Sequence, residues 1–445
     1  MTKLRFFCAL ILSKIAACFI DLFVRGRGTN LPGALALKLD PQFIRHVKGL
    51  NPDKTIFVTG TNGKSTSTLL LHHILTESGY KVVSNLSGAN MTPGVAVPLL
   101  RSANLRGVVK ADYVLMETDE RYVAAIGKQL PARYLCVTNI QKDQVQRNGE
   151  PSFILNKVRQ AVTPEMTLFV NRDDPNACSL GTSGVKKVVR FGVSKHAHSF
   201  REVDDFFAVS MPCPVCHNPV RFSIRNLSDM GPFECPVCGL GKEDPDDYVA
   251  KEISFAEKHF EIRGREYPFH YNMPAFLYSY TLATALAREL GISEESIYAA
   301  FDKFRNENDR VRTRRIGAKT VKYQKMKQEN SETLQNIVEA IAADPAEKVF
   351  LFGCDEYIDF YPPYVNTCFL FDCDFRRLNE SGVARWVCTS AAMGHTVATR
   401  FLYDGFSRDK LSVLPDSLES TLKADLTQTD CENIYLVEEI PFWKR

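Results

Sequence analysis

No long basic run stands beside an aromatic platform in these 445 residues, and the formal net charge is only +3. Nucleic-acid binding leaves a basic patch or stripe, so that role is not expected. Nor is there an uninterrupted apolar stretch near the roughly 20 residues that span a bilayer. The run Phe6 to Phe23 is apolar, but Lys14 and Asp21 break it on one helical face. A secretory signal would fit Phe6 to Leu12, yet no convincing cleavage site precedes the charges. An amphipathic helix is expected here. It packs against the first domain, or it rests on the membrane surface as a peripheral contact. Packing is favoured because a lysine-rich polar face is missing.

The chain is long enough for two or three domains with substantial cores, and 45% hydrophobic with 24% charged residues suits a globular protein. Of thirteen cysteines, four form a metal pattern and nine are scattered. Scattered thiols point to a reducing, cytoplasmic compartment.

What stands out is Val58-Thr-Gly-Thr-Asn-Gly-Lys-Ser-Thr66, between the β-rich run Thr55 to Val58 and a helix-like segment, Ser65 to Leu75. Strand, glycine loop, Lys-Ser/Thr and helix are the context of a phosphate-binding loop. Gly60 and Gly63 let successive backbone N–H groups turn onto phosphate oxygens, and the helix N-terminus adds free donors. Lys64 reaches the β/γ-phosphates of ATP, and the Ser65 or Thr66 hydroxyl holds Mg²⁺. The strict G-x-x-x-x-G-K-[ST] pattern fails, because Val58 takes the first glycine position.

Five strand candidates, 55–59, 81–85, 113–118, 134–139 and 167–171, alternate with helices, which implies an α/β fold with a parallel sheet covered on both faces. Helices are expected over 275–290 and 294–304. The polar stretch 306–312 reads as a linker. A second α/β unit follows, with strands near 320–324, 348–352, 367–371, 385–389, 411–415 and 434–437, and helices over 331–343 and 393–403. It carries no G-x-G-x-x-G, so dinucleotide binding is not supported. The domains expected are an N-terminal helical segment (1–45), an ATP-binding domain (46–310) and a C-terminal Rossmann-like α/β domain (311–445).

Cys213-Pro-Val-Cys216 and Cys235-Pro-Val-Cys238 form C-x₂-C-x₁₈-C-x₂-C. Two such knuckles aim four thiolates at one tetrahedral point, the pattern of a structural Zn²⁺ ribbon inserted at about 205–245. Binding supplies on the order of 10 kcal/mol, enough to fold an insert with little core. Thiol exchange is the rival, but no thioredoxin-like context surrounds the pairs.

The loop Thr59-Gly-Thr-Asn-Gly-Lys-Ser-Thr66 resembles that of the Mur ligase family, which includes folylpolyglutamate synthetase and makes amide bonds through acyl phosphates. The segment Val114-Leu-Met-Glu-Thr-Asp-Glu120 matches the family strand whose first glutamate, here Glu117, helps hold Mg²⁺. The stretch Val137-Thr-Asn-Ile-Gln-Lys-Asp-Gln144 is similar to a family motif containing Asp143. Many members place a histidine where Gln144 stands, near a second metal. Val170-Asn-Arg-Asp-Asp-Pro175 matches the nucleotide-side loop, which puts Asn171 and Asp174 near ATP. The same resemblance puts Asn272 at a helix start near the nucleotide and Arg310 at the domain junction.

Such a loop combined with a four-cysteine ribbon resembles the MurT-like proteins, synthetase subunits of lipid II isoglutaminyl synthase. Gly28-Thr-Asn-Leu-Pro-Gly33, Ala36-Leu-Lys-Leu-Asp-Pro41 and Glu117-Thr-Asp-Glu120 add local matches. The resemblance implies amidation of the D-glutamate α-carboxylate in the lipid II stem peptide. No G-x-C-x-G turn of a class I glutaminase occurs here. The ammonia is therefore expected from a separate, GatD-like subunit. Departures lie in the C-terminal domain. Val365-Asn-Thr-Cys-Phe-Leu-Phe-Asp-Cys-Asp-Phe375 keeps Asp372 and Asp374, but Asn366 replaces a leading aspartate that serves the partner's site. Asp359 or Asp355 is left to compensate. The alternatives are a Mur or folylpolyglutamate-type ligase adding an amino acid, and a nucleotide-binding scaffold without ligase activity.

Overall fold

A computed structural model describes residues 2–23, 30–200, 211–227, 229–271, 273–305, 311–353, 366–388, 393–413 and 430–438. The chain divides into two units, Met1–Gln141 with Asn148–Arg305, and Lys142–Arg147 with Asn306–Arg445.

The first unit opens with α1 (Thr2–Phe23), α2 (Leu31–Leu39) and α3 (Phe43–His46). These are not a separate domain. Phe6, Leu10, Ala36 and Phe43 belong to the same core as Leu99, Met116 and Leu135. After β1 (Thr55–Thr59) come α4 (Lys64–Glu77), β2 (Val82–Ser84), α5 (Thr92–Ser102), β3 (Tyr113–Glu117), α6 (Val123–Gly127) and β4 (Tyr134–Val137). A single turn, α7 (Val145–Asn148), precedes α8 (Pro151–Arg159), β5 (Thr167–Asn171), α9 (Pro175–Ser179) and β6 (Lys187–Val193). Every residue of β1, β3 and β5 is buried. Such continuously apolar strands are what a sheet covered on both faces requires.

The Cys segment carries β7 (Arg221–Phe222) and β8 (Phe233–Glu234) as an antiparallel pair. Beyond it lie β9 (Tyr248–Ser254), β10 (His259–Ile262) and β11 (Arg265–Pro268), then α10 (Ala275–Glu289) and α11 (Glu294–Lys303). The sheet runs β11-β10-β9-β6-β5-β4-β1-β3-β2. From β2 to β9 the pairings are parallel; β9, β10 and β11 continue antiparallel. The strand reading covered the parallel centre but not β6 or this antiparallel margin.

In the second unit β12 (Val311–Ile316), β13 (Lys319–Lys325), α12 (Ser331–Ala342), β14 (Lys348–Gly353), α13 (Arg376–Glu380), β15 (Val383–Cys388), α14 (Gly394–Tyr403), β16 (Leu411–Val413) and β17 (Asn433–Glu438) follow. The order is β12-β13-β17-β14-β15-β16, parallel apart from the β12–β13 hairpin. Val311 and Arg312, read as the end of a linker, instead begin β12. The strand expected at 367–371 is instead a 3₁₀ turn, Cys368–Asp372. The cause is local: Asn366 Oδ1 accepts from the Cys368 backbone N–H at 2.9 Å. Such an Asx turn competes with extended pairing, while Phe369 and Leu370 stay buried in the core.

Candidate active site

β1 delivers Thr59 to the carboxyl edge of the sheet, where its hydroxyl donates to the Thr118 carbonyl at 2.9 Å. Gly60 then turns at φ +126°, and a Cβ there would lie 2.3 Å from Thr138 Oγ1. Only glycine passes. Gly63, at φ +82°, leads straight into α4. The loop between them is shaped from the side by the segment after β4. Thr61 N and Asn62 N donate to the Asn139 carbonyl and Oδ1 at 2.9 and 2.8 Å. Gln141 N donates to Thr61 Oγ1 and Asn62 Nδ2 to Gln141 Oε1, both at 2.9 Å. Lys64 is buried, and its ammonium donates to the Gly60 carbonyl and, at 3.2 Å each, to the Thr61 carbonyl and to Glu120. Ser65 is exposed and Thr66 half-buried in the first turn of α4.

Glu117 ends β3, in register with Val58 of β1. Asn85 clamps its backbone on both sides, accepting from Glu117 N at 2.9 Å and donating to its carbonyl at 2.8 Å. Asn90 Nδ2 donates to one carboxylate oxygen at 2.9 Å. The donor set fits a nucleotide triphosphate with Mg²⁺: Gly60, where only a bare backbone passes, left-handed Gly63, a lysine, hydroxyls and a carboxylate on the adjacent strand.

Asn171 and Asp174 both face inward. Asn171 Nδ2 donates to the Thr138 carbonyl at 2.9 Å, and Asp174 caps α9 by accepting from Asn176 N at 2.9 Å. Burial pushes the Asp174 carboxyl up to about 8. These side chains shape the loop ends beside β4 and β5. Asp173, raised by burial to about 6, accepts from Val193 N at 2.8 Å and from the Tyr278 hydroxyl at 3.0 Å.

Asp143 groups with the second unit, where Lys327 Nζ and Asn330 Nδ2 donate to it at 2.7 and 3.0 Å. Asp372 pairs with Lys142 at 3.3 Å within that unit. Asn366 donates to buried Glu329 at 2.7 Å. Asn272, Arg310, Asp355 and Asp359 lie outside the described residues.

The four sulfurs of Cys213, Cys216, Cys235 and Cys238 lie within 4.8 Å of one another. Such a cluster suits one tetrahedral metal ion.

Sequence reasoning passed over Asn85, Asn90 and Glu120 as site residues. Glu120 was legible as the last acid of Glu117-Thr-Asp-Glu120. The asparagines were not, because their work is to hold a neighbouring strand end rather than to carry a motif.

A phosphate-binding loop on a parallel sheet, an acid on the next strand and a second α/β unit define an ATP-dependent ligase of the Mur type. The description "Mur ligase middle domain" matches residues 58–211, and "MurT ligase C-terminal" matches 328–439. The chain belongs to the Mur ligase family and carries a MurT-type C-terminal region. It is 26% identical over 417 residues to the lipid II isoglutaminyl synthase (glutamine-hydrolyzing) subunit MurT of Streptococcus pneumoniae, covering 93% of this chain and 90% of that protein. The same-named subunit of Staphylococcus aureus is 24% identical, covering 82% and 80%. Among solved structures, a pseudomurein peptide ligase type C from Methanothermus fervidus shares the fold at TM-score 0.66 and 17% identity, covering 91% of this chain and 79% of that one.

Proposed function

We propose that this protein is the synthetase subunit of a glutamine-dependent amidating enzyme acting on the D-glutamate α-carboxylate of a lipid II stem peptide. Its class, an ATP-dependent amide-forming ligase, follows from the family and fold. ATP with Mg²⁺ supplies the phosphoryl group that turns the carboxylate into an acyl phosphate, which ammonia then converts to the amide. The chain's own part is positioning and charge. The Thr61 and Asn62 backbone N–H groups are held by Asn139, so the donors left for the phosphates are those of Gly63 and the N-terminus of α4, and Lys64 offsets charge on the transferring group. Glu117 and Ser65 are the residues that would hold Mg²⁺; Asn85 and Asn90 keep Glu117 from turning away. Thr59, Thr61, Asn62 and Thr66 complete the cradle, with Asn171, Asp174, Asn272 and Arg310 on the nucleotide side. Asp143, Asp359 and Asp372 act toward the acceptor and the partner.

Zinc at the four cysteines is structural, since a closed Cys₄ site leaves no open position. The ammonia comes from a GatD-like class I glutaminase subunit, and the pair works in the cytoplasm at the inner face of the membrane.

The observation that carries this reading is the Lys64 loop beside Glu117 in a chain whose C-terminal region matches MurT. The test is amidation of lipid II with ATP, Mg²⁺ and ammonium, read by mass spectrometry of released muropeptides. D-isoglutamine is expected. Incorporation of an amino acid, or no phosphate release on adding the carboxylate substrate, would refute it.

A further inference from the structure

The face of α1 turned away from the domain has no protein covering among the described residues. Leu4 is 71% exposed, Ile15 61%, Phe19 59% and Leu22 70%; Phe7, Ile11, Leu12 and Phe23 lie on the same side. At 3.6 residues per turn, they and the exposed Cys8 and Cys18 fill a continuous arc of about 160° whose one charge, Arg5, stands at its margin, level with Phe23. Even Lys14 and Asp21 form only a narrow edge strip with Lys3, so the divided amphipathic pattern expected of this helix is not what folds. By length and composition Lys3–Phe23 is apolar enough to cross a membrane.

Its other face shows why it does not cross one. Phe6, Ala9, Leu10, Ala17 and Ile20 are buried in the first unit. The Phe6 ring lies 5.4 Å from Phe43, and a Cβ on Gly107 would come within 2.5 Å of it. The helix is thus laid along the domain, with the domain in place of the polar half of an interfacial helix.

We propose that this face is a membrane-docking surface that sinks into the headgroup–acyl boundary of an anionic bilayer, α1 lying in the plane. Charge selects that occupant. Lys3 and Lys14 stand along one edge of the arc and Arg5 along the other. The helix's one acid, Asp21, is taken up by two hydrogen bonds from Arg101, at 2.6 and 2.8 Å. A cationic rim around an apolar strip suits anionic lipid. A second copy would set like rims against each other. The proposal rests in part on the lipid-linked substrate proposed above: docking would hold the ATP-binding unit where that substrate's head group emerges.

The experiment co-sediments the full chain with phosphatidylglycerol/phosphatidylcholine vesicles and compares a Leu12→Gln/Ile15→Gln/Phe19→Gln variant, checked for folding by thermal melting. The chain should pellet with anionic vesicles, release in alkaline carbonate, and bind at least about tenfold less in the variant. Amidation of a water-soluble muropeptide should be equal in both, so its absence from both would count against the proposed function and not against docking. Wild-type protein left in the supernatant, unchanged binding by the variant, resistance to carbonate, or a dimer that only the variant dissolves would each overturn the proposal.

Discussion

At Lys64 the loop keeps its cation indoors, on its own carbonyls and on Glu120, where the side chains are only 10% and 11% exposed. Removing one partner of such a pair strands the other charge, which costs about 3–5 kcal/mol. Lys64→Ala should therefore lower both turnover and melting temperature. Lys64→Ala/Glu120→Gln should regain much of the melting temperature yet stay inactive, with turnover down on the order of 10²-fold or more. Restored amidation in the double variant would remove Lys64 from phosphate chemistry. A second residue sets a pH limit. His196 is buried beside His198 and Phe255, and burial pulls its pKa down to about 4. Because the folded value lies below the unfolded one, this stability is full above about pH 6.5 and is lost as pH falls toward 4. Urea midpoints should drop between pH 7 and 4.5 by the equivalent of about 2–3 kcal/mol, and His196→Gln should lack that part of the slope.

Among the elements, the Cys₄ ribbon has a small core of its own, Val220, Phe222, Phe233 and Leu240 around Cys213 and Cys235, and its β7–β8 ladder pairs only two residues per strand; Leu227 and Met230, between the two cysteine pairs, belong instead to the domain core. Metal removal should therefore unfold the insert before the nucleotide domain. Limited proteolysis after chelation should cut first within 205–245, while nucleotide affinity declines later; simultaneous loss would show that the ribbon is integral to the ATPase core. The same scale shows what was legible. The strands 55–59, 113–117 and 167–171 were readable because burial on both faces makes them continuous apolar runs. The margin β9–β11 was not, since half-exposed strands with Lys251, Glu252, Glu261 and Glu266 mix polar and apolar residues without a strong period. At 367–371 the apolar Phe-Leu-Phe run imitated a strand, and only the Asx turn at Asn366 explains why none forms.

For the whole molecule, the phosphate loop and the cysteine spacing were readable because their chemistry needs consecutive residues. The grouping of Lys142–Arg147 with the second unit was not, since Asp143 finds Lys327 and Asn330 nearly two hundred residues away. Division of labour between chains is the last expectation. An amidating synthetase needs ammonia, and this sequence has no G-x-C-x-G turn to release it from glutamine. The MurT relatives of Streptococcus pneumoniae and Staphylococcus aureus are likewise named as one subunit of a glutamine-hydrolyzing enzyme. The isolated chain should amidate lipid II with ammonium and ATP but give no product above background with glutamine. Adding a class I glutaminase subunit from the same cell should make glutamine an effective donor, and a cysteine-to-alanine change in that subunit's nucleophile should abolish glutamine-dependent turnover while leaving the ammonium reaction intact. Glutamine-dependent amidation by the isolated chain would place the hydrolytic site within it and end the two-subunit reading.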